Sequence, residues 1–324
     1  LVGSEMCIRD RFITCAAIET HFAWHKYKKD NVNAERELNS GIIPHEFKRQ
    51  MYYTFGDYRD IFFGTDISTH NHIPEVSQKV ITILEKENGT KSEVKQKYKN
   101  ELLDDWWNEH GKEIWDGMVC ALCYDTKTKE FKNEVRTQLT GPNSKYQYGT
   151  VSFGDKQNTI LSKFAERPPF LRWFIEWGEE FCKKRKEQVD QLVNVCKECN
   201  VSDSVISSGN KTCNDKEKCD ACKKECTQYE NWLQTWKGHY NKQKERYAKV
   251  KSTSPYNNDN DVNKSTHAYE YLSKKLTNIP CTNGNTTGKC DYKCMDQRTS
   301  TDGMPASLEY PPKEINGKCD CTKA

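Results

Sequence analysis

The sequence predicts an all-α fold, a disulfide-rich helical bundle followed by a disulfide-tied helical hairpin lobe. Three observations lead there. Apolar residues recur at helical spacing in nearly every regular stretch, sixteen cysteines crowd toward one end, and one long segment carries an unbroken a/d seam.

The elements follow in chain order. Residues 1–11 (LVGSEMCIRDR) fit poorly with what comes after and read as a non-native leader, so they are set aside and Cys7 with them. A helical bundle is expected over 12–199. Cys15–Asp30 starts apolar and ends in Lys26, Lys28 and Lys29, cations well placed at a helix C-terminus. Val76, Val80, Ile83 and Leu84 form one helical face, and Leu103, Trp107, Ile114, Met118 and Leu122 form a longer one. Pro168 and Pro169 open a helix whose Phe170, Trp173, Phe174, Trp177 and Phe181 share a side. Strands have little support beyond a short β element at Gln147–Phe153.

The hairpin lobe is expected over 200–324. Cys222, Cys226, Tyr229, Leu233, Trp236, Tyr240, Gln243 and Tyr247 alternate steps of four and three, the pattern that packs a long helix against an antiparallel neighbour. That neighbour is placed at His267–Ile279, with Tyr271, Leu272, Leu276 and Ile279 inward. Two polar loops, Asn200–Lys218 and Ser252–Thr266, have little to bury and are expected to be exposed and mobile.

Twelve of the cysteines lie between Cys182 and Cys321. Such density argues for an oxidising compartment and a stapled lobe. The competing reading is zinc, because Cys120–Cys123, Cys196–Cys199 and Cys219–Cys222 are CxxC pairs; irregular spacing elsewhere and the lack of nearby histidines weigh against it. No cofactor or metal is therefore expected. Net charge is only +3, which gives no field suited to nucleic acid. No apolar run reaches the ~18 residues of a membrane span. Five Asn-x-Ser/Thr sequons, at Asn88, Asn200, Asn210, Asn263 and Asn285, suit a secretory-route surface.

Catalytic patterns are missing. His45-Glu46 has no second histidine at metalloprotease spacing, and no phosphate loop or nucleophile elbow occurs. A free thiolate is the exception in a disulfide-dense chain, so an enzyme is not expected, with a secretory-pathway thiol enzyme as the remote alternative. Basic clusters at Lys26–Lys29, Lys183–Lys186 and Lys242–Lys251 follow apolar helical stretches; solvated helix faces explain them best, with sulfated glycan contact second.

Six stretches, taken together, carry a family resemblance. They are AAIETHFAWHKYK (16–28), FGDYRDIFFGTD (55–66), WWNEHGKEIWDGMVCAL (106–122), RPPFLRWFIEWGEEFCKKR (167–185), CDACKKECTQYENWLQTWKGHY (219–240) and SLEYPPKEINGKC (307–319). In this order they resemble the Duffy-binding-like domains of malarial adhesion proteins, above all those of the variant erythrocyte membrane protein 1 family. The resemblance implies second- and third-subdomain-like portions, with the cysteine-rich first subdomain missing. It implies a host-receptor adhesion module of a membrane-anchored antigen on the infected erythrocyte surface. A host cell-surface protein receptor or a sulfated glycan is the implied partner. Glycosaminoglycan or immunoglobulin binding, or a spacer role in a tandem array, are the alternatives.

The resemblance also suggests a Cys120–Cys182 bond. Further bridges are expected among Cys213, Cys219, Cys222, Cys226, Cys281, Cys290, Cys294, Cys319 and Cys321. It points to the third-subdomain-like hairpin for receptor contact, where Glu230, Gln234, Lys237, Asn241, Lys244 and Lys251 form the expected outward face.

Overall fold

The structure is a computed structural model that describes residues 4–87, 95–153, 158–203, 211–277, 282–283, 286–287, 293–295, 303–315 and 317–323. Its elements run α1 (Glu5–Asp30), α2 (Ala34–Asn39), α3 (His45–Phe63), α4 (Ile73–Glu87), α5 (Lys95–Ala121), β1 (Tyr124–Asp125), β2 (Glu130–Phe131), α6 (Asn133–Thr140) and α7 (Leu161–Ala165). They continue with α8 (Pro169–Cys196), β3 (Val201–Asp203), β4 (Lys211–Cys213), α9 (Lys216–Val250), α10 (Asn260–Asn263), α11 (Ala268–Leu276), β5 (Thr282–Asn283), β6 (Thr286–Thr287) and β7 (Thr322–Lys323). The chain divides into two compact units, 1–172 and 173–324, with the boundary inside α8.

The first unit is helical around an aromatic core. α1 buries Ile8, Phe12, Ala16, Thr20 and Trp24, a strict i, i+4 stripe. The helix thus starts at Glu5 and takes in residues that the sequence reading set aside, with Ser4 capping it by accepting from the Cys7 amide. Glu5 faces His110 (4.0 Å), Arg9 faces Glu113 (3.7 Å), and His21 Nδ1 lies 3.3 Å from the Ala121 carbonyl, so α1 and α5 run parallel. Phe62 stacks on Trp106 at 4.4 Å, Tyr52 meets Trp115 at 5.5 Å, and Phe153 stacks on Phe164 at 4.2 Å. These rings supply much of the burial that a chain poor in aliphatics lacks.

Leu103, Trp107, Ile114, Met118 and Leu122 are all buried, as their spacing predicts. On α4 the phase differs: Ser77, Val80, Ile81 and Leu84 point inward and Val76 is exposed. Positions 76, 80, 83 and 84 and positions 77, 80, 81 and 84 are both helical stripes, so spacing alone leaves the phase open and packing selects the second. α3 ends at Gly64 in the left-handed region (φ 69°), a conformation that a side chain disfavours.

One buried ion pair ties this unit together. The Arg172 guanidinium pairs with Asp60 and also donates to the carbonyls of Ala165 (2.9 Å), Arg167 (2.5 Å) and Gly56 (3.1 Å). Thr65 Oγ1 donates to the other Asp60 oxygen at 2.9 Å. A Cβ on Gly56 would stand 2.6 Å from Arg172 Nε, so the glycine permits this approach.

The second unit packs α8, α9 and α11. Trp177 meets Tyr240 at 5.9 Å, Phe181 stacks on Trp232 at 6.0 Å, and Cys196 near the end of α8 bonds Cys222 near the start of α9, so these helices are antiparallel. On α11 Tyr271, Leu272 and Leu276 are fully buried, in the predicted position. Ile279 lies outside the described residues. The first polar loop is partly sheet: β3 pairs antiparallel with β4, and β4 pairs parallel with β7.

Among the described residues five disulfides staple this unit: Cys182–Cys294, Cys196–Cys222, Cys199–Cys219, Cys213–Cys321 and Cys226–Cys319, with Cα separations of 4.6–5.7 Å. The suggested Cys120–Cys182 bond is not made. Cys182 is spent on Cys294, 112 residues away, and Cys120 remains a half-buried thiol. Cys281 and Cys290 lie outside the described residues.

Candidate functional site

The expected contact face lies on α9. Asp215 caps the helix, its side chain accepting from the Lys218 amide at 3.2 Å. The seam then turns inward: Cys222, Cys226, Tyr229, Leu233, Tyr240 and Tyr247 are buried. Burial pushes the Tyr240 and Tyr247 phenols up, so both stay neutral hydrogen-bond donors, Tyr240 to the Gly303 carbonyl at 3.0 Å. Trp236 is only half-buried, because it packs at an edge between Trp177 (5.7 Å) and Phe181 (5.4 Å).

Of the expected outward residues, Gln234 is exposed, whereas Glu230, Lys237, Asn241, Lys244 and Lys251 are half-buried. At about 100° per residue, they occupy one flank of the seam while Trp232 and Trp236 occupy the other. The exposed large apolar residues among those described lie on the first unit, Phe22 (68%) and Ile18 (50%) among them, apart from Val193 on α8. The polar rim on α9 therefore surrounds no exposed apolar anchor among the described residues.

Lys251 proves to be a clamp. Its Nζ donates to the Thr266 carbonyl (3.1 Å) and the Ser265 carbonyl (3.5 Å). Lys275 pairs with Asp259 (3.2 Å) and Asp261 (2.7 Å), and Lys274 donates to Ser265 Oγ at 2.8 Å. The second polar loop is accordingly ordered around a 3-10 turn, Tyr256–Asn258, and α10, with Val262 buried. Sequence composition pointed to a mobile segment; lysines from α9 and α11 hold its carbonyls and carboxylates instead.

The Lys183–Lys186 cluster is largely neutralised. Arg185 grips Glu314 (3.1 Å) and donates to the Ser307 carbonyl (3.0 Å), Lys184 pairs with Glu187 (3.3 Å) and Lys186 with Asp190 (2.6 Å). Arg185 thereby secures the segment that follows Gly303.

With the fold and this face in view, comparison with known proteins is decisive. The Duffy binding domain family matches residues 3–229, and the C-terminal subdomain of the Duffy-binding-like domain matches 176–303. The chain belongs to the Duffy-binding-like family.

Curated relatives of this Duffy-binding-like chain include the Duffy receptor of Plasmodium vivax (strain Salvador I), 22% identical over 67% of the chain. The Duffy receptor gamma form of Plasmodium knowlesi is 20% identical over 73%. The chain spans only 16% and 18% of their lengths. Among solved structures, Region II of Plasmodium falciparum Erythrocyte Binding Antigen 140, in complex with sialyllactose, matches at a TM-score of 0.60 and 21% identity. That match covers 98% of this chain and 39% of the other. The ICAM-1-binding PfEMP1 IT4var13 DBLbeta domain matches at 0.54 and 21%, covering 96% and 70%.

Among the described residues of the Duffy-binding-like chain two sulfur clusters have the proximity of a metal site, Cys196 with Cys222 and Cys226, and Cys199 with Cys219 and Cys321. All these sulfurs are in disulfides, which removes the thiolates that zinc requires. Cys196 and Cys199 were not among the cysteines assigned to bridges from sequence. Their signal was available, because two CxxC pairs at facing helix ends can cross-link in register. In the first unit Cys15 is an exposed thiol, and Cys120 lines a cavity of about 510 Å³ with Ile13, Lys112, Asp116 and Arg136. Burial pushes Cys123 up to about 12, which makes it inert. No helix of the described residues is long and apolar enough to cross a membrane.

Proposed function

We propose that this chain is a host-receptor adhesion module, and that α9 with the ordered 251–266 segment presents the contact face. Membership of the Duffy-binding-like family carries the reading. Support comes from a disulfide-stapled scaffold holding a polar helix flank, an architecture suited to rigid presentation rather than to chemistry. The finer reading is an infected-erythrocyte surface antigen of the variant erythrocyte membrane protein 1 type.

A second reading, an acidic glycan as ligand, is favoured by the missing apolar anchor on the α9 rim and by the sialyllactose bound to one structural neighbour. Binding of the full chain to immobilised ICAM-1, to sialyllactose and to heparin, each titrated with salt, tests both. Protein contact survives high salt, whereas glycan contact falls steeply. Lys237→Glu and Gln234→Glu are the informative variants, because Lys251 holds the neighbouring segment and its loss disturbs the fold. If neither variant alters any binding, this face is not the contact surface.

A further inference from the structure

α1 carries a histidine pair that neither the aromatic core nor the α9 face uses. His21 and His25 stand four residues apart, so they share one side of the helix, one turn above the other. Both are half-buried, and their ring centres are 4.5 Å apart. Rings this close suit an ion that bonds each imidazole nitrogen at about 2.1 Å.

The way His21 is held points in the same direction. Its Nδ1 lies 3.3 Å from the Ala121 carbonyl at the end of α5, 100 residues away. With the proton on Nδ1 that nitrogen donates to the carbonyl, and Nε2 keeps its lone pair. A backbone carbonyl that fixes tautomer and ring orientation in this way is the usual support of a metal-binding histidine. Phe22 and Tyr124 flank the ring, each with its centre 6.0 Å away. Burial, then Lys28, His21 and Lys29, pull His25 below its ordinary value against the opposing charge of Glu35, so it is the neutral, coordinating imidazole at pH 7. The same lysines repel a cation, but Glu35 lies 3.7 Å from Lys28, and Lys29 is exposed and screened by solvent.

Among the described residues no third histidine, cysteine or carboxylate joins the pair at ligand distance, so water completes the coordination. Residue 22 is phenylalanine where a helical zinc hydrolase carries its glutamate base, which makes the pair a binding site and not a catalytic one. His70 and His72 are also close, but their ring centres are 5.7 Å apart in an exposed turn. There His70 Nδ1 accepts from the His72 amide at 3.4 Å, which turns that ring toward its own backbone.

We propose that His21 and His25 chelate one transition-metal dication of the zinc, nickel and copper class through their imidazole nitrogens. Imidazole suits these ions, whereas magnesium and calcium prefer oxygen. The packing of α1 against α5 holds the helix with or without the ion, so binding adds no helicity. The pair binds its ion whether or not the α9 flank meets a receptor.

Calorimetry on the full, untagged chain at neutral pH tests this, with zinc, nickel and magnesium chlorides as probes. Zinc and nickel bind and magnesium does not. His21→Gln and His25→Gln each weaken zinc and nickel binding about tenfold or more, while His72→Gln leaves it unchanged. In NMR of the histidine-labelled wild-type chain, zinc moves the ring resonances of His21 and His25. His25→Gln leaves the His21–Ala121 contact in place, so it decides alone if the His21 variant does not fold; if neither folds, the wild-type ring resonances decide. Four results overturn the proposal: neither zinc nor nickel binding, unchanged affinity in a folded His25→Gln, loss of binding in His72→Gln instead, or unmoved His21 and His25 resonances.

Discussion

Replacing Arg172 with methionine isolates the most consequential interaction of the first unit. The Arg172 side chain is 0% exposed and that of Asp60 2%, so the substitution strands a carboxylate with Thr65 Oγ1 as its remaining side-chain donor. It also takes a donor away from the carbonyls of Ala165, Arg167 and Gly56. Breaking a buried pair by removing one partner costs about 3–5 kcal/mol. The double variant Asp60→Leu with Arg172→Met removes both charges and should recover much of that loss.

The pH dependence gives a sharper reading. Burial pushes the Asp60 carboxyl up, opposed by Arg172 and Thr65; without Arg172 it rises further. A carboxyl raised in the folded state favours folding at low pH, and that contribution disappears as pH rises through its folded value. The destabilisation of Arg172→Met should therefore be smallest below about pH 4 and grow toward neutrality. Urea unfolding of the full chain, followed by hydrogen exchange in α3 and α7, measures it. A variant within about 0.5 kcal/mol of wild type at pH 7 would refute the reasoning.

Further outcomes follow from the same accounting. Mild reductant should open residues 173–324 first, where all five described disulfides lie, and Cys182→Ser with Cys294→Ser should cost roughly 4–5 kcal/mol in the chain-entropy model. A chelator should leave helicity unchanged, and a loss of circular dichroism signal on chelation would revive the zinc reading. His45 is held neutral at about 4 in the fold against 6.5 outside it, so stability should fall by up to roughly 3 kcal/mol as pH drops from 6.5 to 4. His45→Gln should flatten that slope in pH-dependent denaturation. Alkylation followed by peptide mass spectrometry should modify exposed Cys15 well before buried Cys123, and equal rates would contradict the packing at the end of α5.

Helix positions and inward faces were legible in the sequence because periodicity is a local property. Tyr229, Leu233, Tyr240 and Tyr247 lie on the seam that their spacing announced, and Leu103, Trp107, Ile114, Met118 and Leu122 are buried on one face. The cysteine gradient likewise announced the stapled lobe. Pairing was decided only in three dimensions, since a disulfide depends on Cα atoms meeting within about 7 Å and not on sequence spacing. Cys182 accordingly bonds Cys294 and leaves Cys120 a thiol. Order in the 252–266 loop arose from Lys251, Lys274 and Lys275 reaching it from two helices, which composition cannot register. The Asp60–Arg172 pair, 112 residues apart, had no signal in the chain either. Each arises where distant segments are brought together by packing, and a linear pattern carries only the faces that make such packing possible.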